Sequence, residues 1–207
     1  MTFAAHSHVG VLALQGGVAP HVEAFARLGV RAREVRRPAD LEEVRYLALP
    51  GGESTTLARL LDLFELTAPL VRRVQEGSLA VFGTCAGAIL LGQRTTDVPH
   101  ALGLLDVETS RNAYGPQPHS GRRRITLDAF GREQDAVFIR APRFVQVGED
   151  VRVLARDGND PVLVEASGLL AASFHPELDE DPFLHRYFLE RFRELLPTER
   201  ESGRTSA

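Results

Sequence analysis

The chain has 207 residues, of which 43% are hydrophobic and 25% are charged. These values are typical of a single globular domain, and they exclude collagen-like, coiled-coil and disordered classes. The 24 basic and 28 acidic residues leave a net charge of −4, and the longest basic run is 122–124. We therefore do not expect a nucleic acid partner.

The location of the protein is indicated by three features. No apolar run approaches the ~20 residues that span a bilayer, and the first eight residues lack the charged and apolar segments of a signal peptide. The single cysteine, Cys85, cannot form an intrachain disulfide, which fits a reducing compartment. We expect a cytoplasmic protein with no membrane partner.

All 24 basic residues are arginine, so the chain contains no lysine. This excludes a Walker A phosphate site, a lysine general base and a lysine Schiff base with a carbonyl substrate or with pyridoxal phosphate.

Short apolar runs alternate with amphipathic segments in the first ninety residues, a pattern typical of strand–helix units on a parallel sheet. The predicted strands are 9–14, 30–35, 46–49 and 79–82, and the predicted helices are 18–28, 54–64, 67–75 and 86–91. Val18, Val22 and Phe25 recur at nearly the helical period and predict the buried stripe of the first helix. Ser54 or Thr55 is the predicted N-cap of the second helix.

The second half is richer in strands and is predicted to be partly antiparallel. Its predicted strands are 104–109, 124–127, 136–139, 143–147, 151–155, 162–165 and 169–174. A closing helix over 181–196 has an inward stripe at Phe183, Tyr187, Phe188, Phe192 and Leu195. We expect one three-layer α/β domain over residues 1–196, with a mixed, largely parallel central sheet, and a disordered tail over 197–207.

Cys85 lies between a predicted strand and a predicted helix, in the run Gly83-Thr84-Cys85-Ala86-Gly87. A sharp turn with small neighbours exposes its side chain at the carboxyl end of the sheet, as in a nucleophile elbow. The positive end of the helix dipole favours the thiolate, and the backbone N–H of Ala86 points to where an oxyanion would form. A buried structural cysteine is the alternative interpretation.

A candidate partner for the cysteine follows the last predicted strand, in the run His175-Pro176-Glu177. Strand alternation would place His175 and Glu177 on the same side, and Pro176 fixes the backbone between them. His175 can accept the thiol proton while Glu177 orients the imidazole. The order Cys, His, Glu favours a catalytic triad over a core histidine.

A glycine pair follows the predicted strand 46–49, in the run Pro50-Gly51-Gly52-Glu53-Ser54. Backbone N–H groups in such a loop can face a phosphate or an oxyanion, or the loop can be a plain turn. The run lacks the Walker spacing and lysine, and Cys85 is expected at the same edge of the sheet. We therefore favour an oxyanion hole, with Gly52 and Ala86 as donors.

The cysteine run and the His-Pro-Glu run together resemble the class I (triad) glutamine amidotransferases. Within them, the runs 12–17, 49–56, 111–115 and 138–142 are similar to the glutaminase subunits of pyridoxal 5′-phosphate synthase. The resemblance covers about residues 8–195. It implies a flavodoxin-like class I glutaminase architecture.

The resemblance also implies a role for each matching residue. Cys85 would be the nucleophile, and His175 and Glu177 would complete the triad. The residues implied to contact the substrate are Gly52, Glu53, Ser54, Arg111, Ile139 and Arg140. The two arginines make independent chemical sense, because a guanidinium binds a free α-carboxylate in a bidentate manner.

One stretch departs from the family pattern. After 111–115 the family continues with an arginine, a glutamine and soon a Ser-Phe-Glu run, whereas this chain has a Pro/Gly-rich segment over 116–124. The conformation of 115–124 is therefore not predicted. His119 in this segment is expected to be solvated rather than part of the triad.

The sequence therefore predicts a glutaminase that hydrolyses L-glutamine to L-glutamate and ammonia through a cysteinyl thioester. Because only residues 197–207 follow the predicted domain, we expect a separate subunit to use the ammonia. The resemblance implies a hetero-oligomer with the lyase subunit that makes pyridoxal 5′-phosphate (vitamin B6) from ribose 5-phosphate and glyceraldehyde 3-phosphate. We expect neither a cofactor nor a metal ion in this chain.

The sequence leaves three alternative functions open. The chain could be the glutaminase subunit of another enzyme, such as imidazole glycerol phosphate synthase, although the runs 12–17 and 49–56 argue against it. A cysteine hydrolase or redox sensor of similar fold would release no ammonia from glutamine. A silent binding module would not require an intact triad.

We also expect the isolated chain to be a poor glutaminase. The Gly51-Gly52 pair can adopt either peptide orientation and could switch when a partner docks. Residues 15–17 and the helix after them are the expected contact face, since they lie at the same edge as Cys85.

Overall fold

The computed structural model describes residues 8–95, 101–111 and 121–193. In the first half, strands alternate with helices. The strands are β1 (Val9–Leu12), β2 (Ala32–Val35), β3 (Tyr46–Leu49) and β4 (Ala80–Thr84). The helices are α1 (Val18–Arg27), α2 (Pro38–Glu42), α3 (Ser54–Leu63), α4 (Thr67–Gln75) and α5 (Ala86–Leu91).

The second half is mainly strands. They are β5 (Gly92–Thr95), β6 (Leu105–Ser110), β7 (Gly121–Leu127), β8 (Arg132–Phe138), β9 (Arg143–Val147), β10 (Arg152–Asp157), β11 (Asp160–Ala166) and β12 (Leu169–Ala172). Short 3₁₀ turns occur at Asp128–Phe130 and Pro176–Leu178, and α6 (Phe183–Arg191) follows them.

The main sheet has nine strands in the order β2-β1-β3-β4-β12-β11-β10-β7-β8. The first five pair in parallel, in the arrangement of a flavodoxin-like sheet, and the remaining pairs are antiparallel. A smaller sheet contains β5, β6 and β9. The predicted three-layer α/β class with a mixed sheet is confirmed, and the carboxyl ends of β1, β3, β4 and β12 meet at one edge.

Two hydrophobic clusters form the core, one on each face of the main sheet. Leu57 of α3 and Leu70 of α4 belong to one cluster, together with residues of α5 and of the small sheet. Phe25 of α1 and Phe188 of α6 belong to the other. Burying a side chain of this size contributes about 1.5–3 kcal/mol, so both faces hold their helices against the sheet.

Several predicted boundaries are correct, and others are wrong for physical reasons. The ranges 46–49, 67–75, 86–91 and 143–147 are confirmed. Helix α2 and strand β5 were not predicted, because α2 has only five residues and Gly92–Thr95 contains no apolar residue. Glu53, rather than Ser54 or Thr55, is the N-cap of α3, because its carboxylate accepts hydrogen bonds from two backbone N–H groups of the first turn.

The closing helix spans Phe183–Arg191 rather than 181–196, so both predicted ends are wrong. Phe188 and Phe192 are fully buried, whereas Phe183 and Tyr187 are only partly buried. Leu195 and the predicted tail 197–207 lie outside the described residues, as do His119 and most of the segment 115–124. The division at residue 196 therefore stays a prediction. Among the helices described, none is long and apolar enough to cross a membrane.

Candidate active site

A cavity of about 420 Å³ opens at the edge where the parallel strands end. The loops that follow β1, β3, β4 and β12 form its walls, as expected for a ligand site in an open α/β sheet. Every residue predicted for the site lines this cavity: Gly52, Glu53, Ser54, Cys85, Ala86, Arg111, Ile139, Arg140, His175 and Glu177.

Cys85 occupies a strained turn between β4 and α5. Its φ is 49° and its ψ is −105°, a conformation that L-residues rarely adopt outside functional sites. The turn requires small neighbours, because a Cβ atom on Gly87 would lie 2.0 Å from the carbonyl oxygen of Leu49. The cysteine is a free thiol with 7% of its surface exposed, and Ala86 begins the helix behind it.

His175 and Glu177 form the polar wall opposite the thiol. Nδ1 of His175 donates a 2.8 Å hydrogen bond to Oε1 of Glu177, and the glutamate is 3% exposed. Burial lowers the pKa of His175, but hydrogen bonds and charge interactions with Cys85 and Glu177 outweigh it and raise this pKa to about 10. The imidazolium of His175, braced by the Glu177 carboxylate, therefore lies beside Cys85 and can exchange a proton with its sulfur.

Strand alternation was predicted to bring His175 and Glu177 together, and this part of the prediction is wrong. Strand β12 ends at Ala172 rather than at residue 174, and Pro176 begins a 3₁₀ turn that contains Glu177. Proline has no N–H for a strand ladder, but it suits the first position of a helical turn. The turn folds the carboxylate back onto the imidazole.

The Gly51-Gly52 loop lies directly over the thiol and the imidazole. A Cβ atom on Gly51 would lie 2.5 Å from Cε1 of His175 and 3.3 Å from Cβ of Cys85. The loop is held from behind by residues after β1, since the carbonyl oxygen of Gly51 accepts a 2.9 Å hydrogen bond from the N–H of Gly17. Only a residue without a side chain fits at position 51.

Glu53 and Arg111 form an ion pair at the mouth of the cavity. A guanidinium nitrogen of Arg111 donates a 3.0 Å hydrogen bond to Glu53, and a second one donates at 3.0 Å to the hydroxyl of Thr55. A hydrogen bond from the Thr56 hydroxyl is the main cause that lowers the pKa of Glu53 to about 2. Burial opposes it, but the backbone N–H groups of Thr56 and Thr55 and the charge of Arg111 add to the lowering. The mouth thus carries both a fixed anion and a fixed cation.

Ile139 and Arg140 follow β8 on the far side of the cavity. Ile139 is 43% exposed, and its carbonyl oxygen lies 3.8 Å from the sulfur of Cys85. Arg140 has a φ of 45°. Of the non-glycine residues described, three have positive φ, and Cys85 and Arg140 both line this cavity. Backbone strain is therefore concentrated at the site.

A pair of buried histidines lies behind Glu177 and was not predicted from the sequence. His21 of α1 and His185 of α6 are fully buried and lie 2.9 Å apart through their ring nitrogens. Nε2 of His21 also lies 3.1 Å from the hydroxyl of Thr84. The signal was the position of His21 between Val18 and Phe25 on the inward side of α1.

The chain is similar to known proteins over most of its length. The model of the SNO glutamine amidotransferase family matches residues 11–194. A Thermus thermophilus protein named pyridoxal 5′-phosphate synthase subunit PdxT is 52% identical over 184 residues, which cover 88% of this chain and 96% of the relative. A protein of the same name from Thermotoga petrophila is 48% identical over 184 residues, covering 88% and 97%.

Solved structures of glutamine amidotransferases are also similar to this chain. A crystal structure described as a glutamine amidotransferase is 50% identical, with a TM-score of 0.85 over 89% of this chain and 98% of that chain. A glutamine amidotransferase from Thermotoga maritima is 17% identical with a TM-score of 0.58, covering 96% and 93%, and shows a shared fold. The match over most of the chain, together with the relatives at about half identity, shows that the chain belongs to the SNO glutamine amidotransferase family.

Proposed function

We propose that this chain is the glutaminase subunit of a pyridoxal 5′-phosphate synthase. It hydrolyses L-glutamine to L-glutamate and ammonia, and it passes the ammonia to a separate synthase subunit. The observation that carries the proposal is the 2.8 Å hydrogen bond between His175 and Glu177 beside the strained Cys85, in one cavity. The names of the relatives favour this subunit over that of another amidotransferase.

Cys85 is the nucleophile in the proposed reaction. Its sulfur attacks the side-chain amide carbon of glutamine, and the imidazolium of His175 gives its proton to the leaving nitrogen. Ammonia leaves and a γ-glutamyl thioester remains. Water, deprotonated by His175, then attacks the thioester and releases glutamate and the free thiol. Glu177 holds the imidazole in the tautomer that this sequence requires.

Two backbone N–H groups are proposed to stabilise the oxyanion. Ala86 is the first residue of α5, so its N–H has no acceptor within the helix. Gly52 is exposed at the mouth of the cavity, in the loop that covers Cys85. Donors fixed by the fold stabilise the developing charge without reorganisation during the reaction.

The ion pair at the mouth suits the amino-acid end of glutamine, which carries one positive and one negative group. Arg111, with help from Arg140, would bind the α-carboxylate, and Glu53 would bind the α-ammonium. Ser54 and Ile139 complete this end of the pocket. An ammonium or a carboxylate alone would interact with only one of the two charges, so the pair suits an intact amino acid best.

The proposal includes a partner and a location. The ammonia acceptor would be the lyase-type subunit that condenses ribose 5-phosphate and glyceraldehyde 3-phosphate. A reducing compartment such as the cytoplasm suits a nucleophilic thiol that must stay unoxidised.

An assay of ammonia release tests the proposal. The purified chain is incubated with glutamine, first alone and then with a lyase-type synthase subunit and its two sugar phosphates. We expect ammonia and glutamate in equal amounts, and pyridoxal 5′-phosphate when all components are present. Cys85→Ala is the control for contaminating glutaminase. Absence of ammonia under every condition would contradict the proposal, and ammonia without pyridoxal phosphate would contradict the assigned partner.

A further inference from the structure

The buried histidine pair, His21 and His185, lies directly behind the triad. Nε2 of His21 lies 3.6 Å from Oε2 of Glu177, while Oε1 of the same carboxylate accepts the hydrogen bond from His175. Glu177 therefore lies between two imidazoles, one facing the cavity and one facing the core. Nothing in the reaction proposed above uses the second imidazole.

Burial determines which nitrogen of each histidine carries the hydrogen. Nδ1 of His185 is buried and has no hydrogen-bond partner among the described residues. A hydrogen on this atom would be a buried, unsatisfied donor, whereas a bare ring nitrogen is better tolerated. The hydrogen of His185 therefore lies on Nε2 and is donated to Nδ1 of His21, which leaves the hydrogen of His21 on Nε2.

Both histidines are neutral at neutral pH. Burial lowers the pKa of His21, and it lowers that of His185 still further, with added repulsion from His21 and Arg27. The Nε2–H of His21 then donates to the hydroxyl of Thr84 at 3.1 Å, and Nε2 lies 3.6 Å from Oε2 of Glu177. At 3.6 Å it acts on the carboxylate as an oriented dipole rather than as a formed hydrogen bond.

We propose that His21 is a positioning residue for the triad. Its Nε2–H, fixed in that tautomer by His185, keeps the Glu177 carboxylate ionised and aligned with Nδ1 of His175. This inference rests on the proposed function, because alignment of Glu177 affects turnover only if Cys85 and His175 carry out the reaction.

The expected pH effect follows from the groups around Glu177. His175 and His21 act on the carboxylate itself, Cys85 acts on His175, and His185 of α6 interacts with His21 and Arg27 of α1. Loss of the His21 N–H removes a stabilising dipole from a buried carboxylate and so raises the pKa of Glu177. As pH falls, His175 then loses its anionic partner at a higher pH, and the imidazolium beside Cys85 is less stabilised.

The rate at which Cys85 is alkylated reports on the cysteine–histidine pair in the absence of glutamine and of a partner subunit. The rate of reaction with iodoacetamide is recorded against pH for the isolated chain, whose only thiol is Cys85. We expect slower alkylation in His21→Leu, most clearly at the acidic end of the profile, because His175 then stabilises the reacting sulfur less. In His21→Gln the rate should return towards that of wild type, because the glutamine amide can place an N–H where Nε2 was. Val30→Ala, a buried change just after α1, controls for lost stability.

Steady-state turnover and the tautomers of the two histidines test the positioning role independently of alkylation. With the synthase subunit present, His21→Leu should lower kcat by up to about 10²-fold, as misplacement of a catalytic group does, while KM for glutamine changes little. Nitrogen-15 spectra of the wild-type chain should show hydrogen on Nε2 of both His21 and His185.

Each outcome decides the inference. Hydrogen on Nδ1 of His21, or alkylation rates that are the same in wild type and His21→Leu across the profile, would overturn it. If His21→Leu does not fold by circular dichroism, the His21→Gln profile and the wild-type tautomers decide. If the wild-type complex releases no ammonia, the proposed function fails, whereas the alkylation and nitrogen-15 results still test the positioning role.

Discussion

The side-chain oxygen of Gln15 accepts a 2.9 Å hydrogen bond from the backbone N–H of Glu53. Gln15 follows β1 in the segment expected to contact a partner, and Glu53 follows the proposed oxyanion donor Gly52. A Cβ atom on Gly52 would lie 2.5 Å from the same glutamine oxygen. Displacement of Gln15 on docking would therefore act directly on the loop that covers Cys85.

We expect the isolated chain to hydrolyse glutamine slowly and the synthase subunit to raise the rate. A missing oxyanion donor lowers the rate by about 10²–10³, so stimulation of that size is expected if docking orients Gly52. Gln15→Leu should reduce the stimulated rate, and Gln146→Leu, an exposed change on β9, should not. Ammonia release is measured while the synthase subunit is titrated. A rate that stays flat as the complex forms would contradict the switch.

Cys85→Ala should abolish glutamine hydrolysis without unfolding the chain. The substitution removes the sulfur and leaves the rest of the turn unchanged, since alanine at φ 49° is strained to the same extent as cysteine. Ammonia release and thermal unfolding are measured together. A glutamine analogue with a diazoketone group should label wild-type Cys85 and no other residue. Ammonia from the pure variant, or a label elsewhere, would count against the mechanism.

The two supporting triad residues should differ in effect. In triad hydrolases, loss of the base lowers kcat by about 10⁶ and loss of the orienting carboxylate by about 10⁴. His175→Asn should therefore be nearly inactive, whereas Glu177→Gln should keep measurable turnover. Single-turnover rates with the complex rank the two variants. If Glu177→Gln were as inactive as Cys85→Ala while still folded, the orienting role would be wrong.

Arg111→Gln should weaken glutamine binding more than it slows the reaction. A charge-assisted hydrogen bond contributes about 1.5–3 kcal/mol, so KM should rise on the order of tenfold or more with a smaller change in kcat. Arg59→Gln, an exposed change on α3, is the matched control. Steady-state kinetics with the complex measure both constants. A fall in kcat at unchanged KM would move Arg111 from substrate binding to another role.

Glu53 should make the stability of the chain depend on pH below about 5. Its pKa is lowered to about 2 in the folded chain, whereas an unfolded glutamate titrates near about 4.3. Its contribution is therefore fully present above the unfolded pKa and is lost as pH falls towards 2. In urea unfolding, Glu53→Gln should have a lower free energy of unfolding than wild type at about pH 7, and this difference should shrink at about pH 3. For the exposed Glu23→Gln control, we expect no such trend.

The site was predictable from the sequence where a motif constrains the backbone. The small residues around Cys85 predict a sharp turn, and the glycine pair after β3 predicts a loop without side chains. Each of these local structures is determined by residues close to it in the sequence. The two meet because the parallel strands that precede them end at the same edge of the sheet. The cavity therefore contains every residue proposed for it.

The parts that were missed depend on packing between distant segments. His21 and His185 are 164 positions apart in the chain, and only the docking of α1 and α6 on the same face brings them together. Periodicity marks position 21 as inward but does not distinguish a polar partner from a core contact. The role of Glu53 as a cap was missed because aspartate, asparagine, serine and threonine are the usual N-cap residues.

The positive φ of Cys85 has a consequence for how this position can evolve. Any residue with a Cβ atom is strained in this turn, and glycine would relieve the strain but would remove the sulfur. Selection for thermal robustness and selection for reactivity therefore act in opposite directions at residue 85. A lineage that no longer needed ammonia would be expected to replace this cysteine early, with glycine among the favoured substitutes.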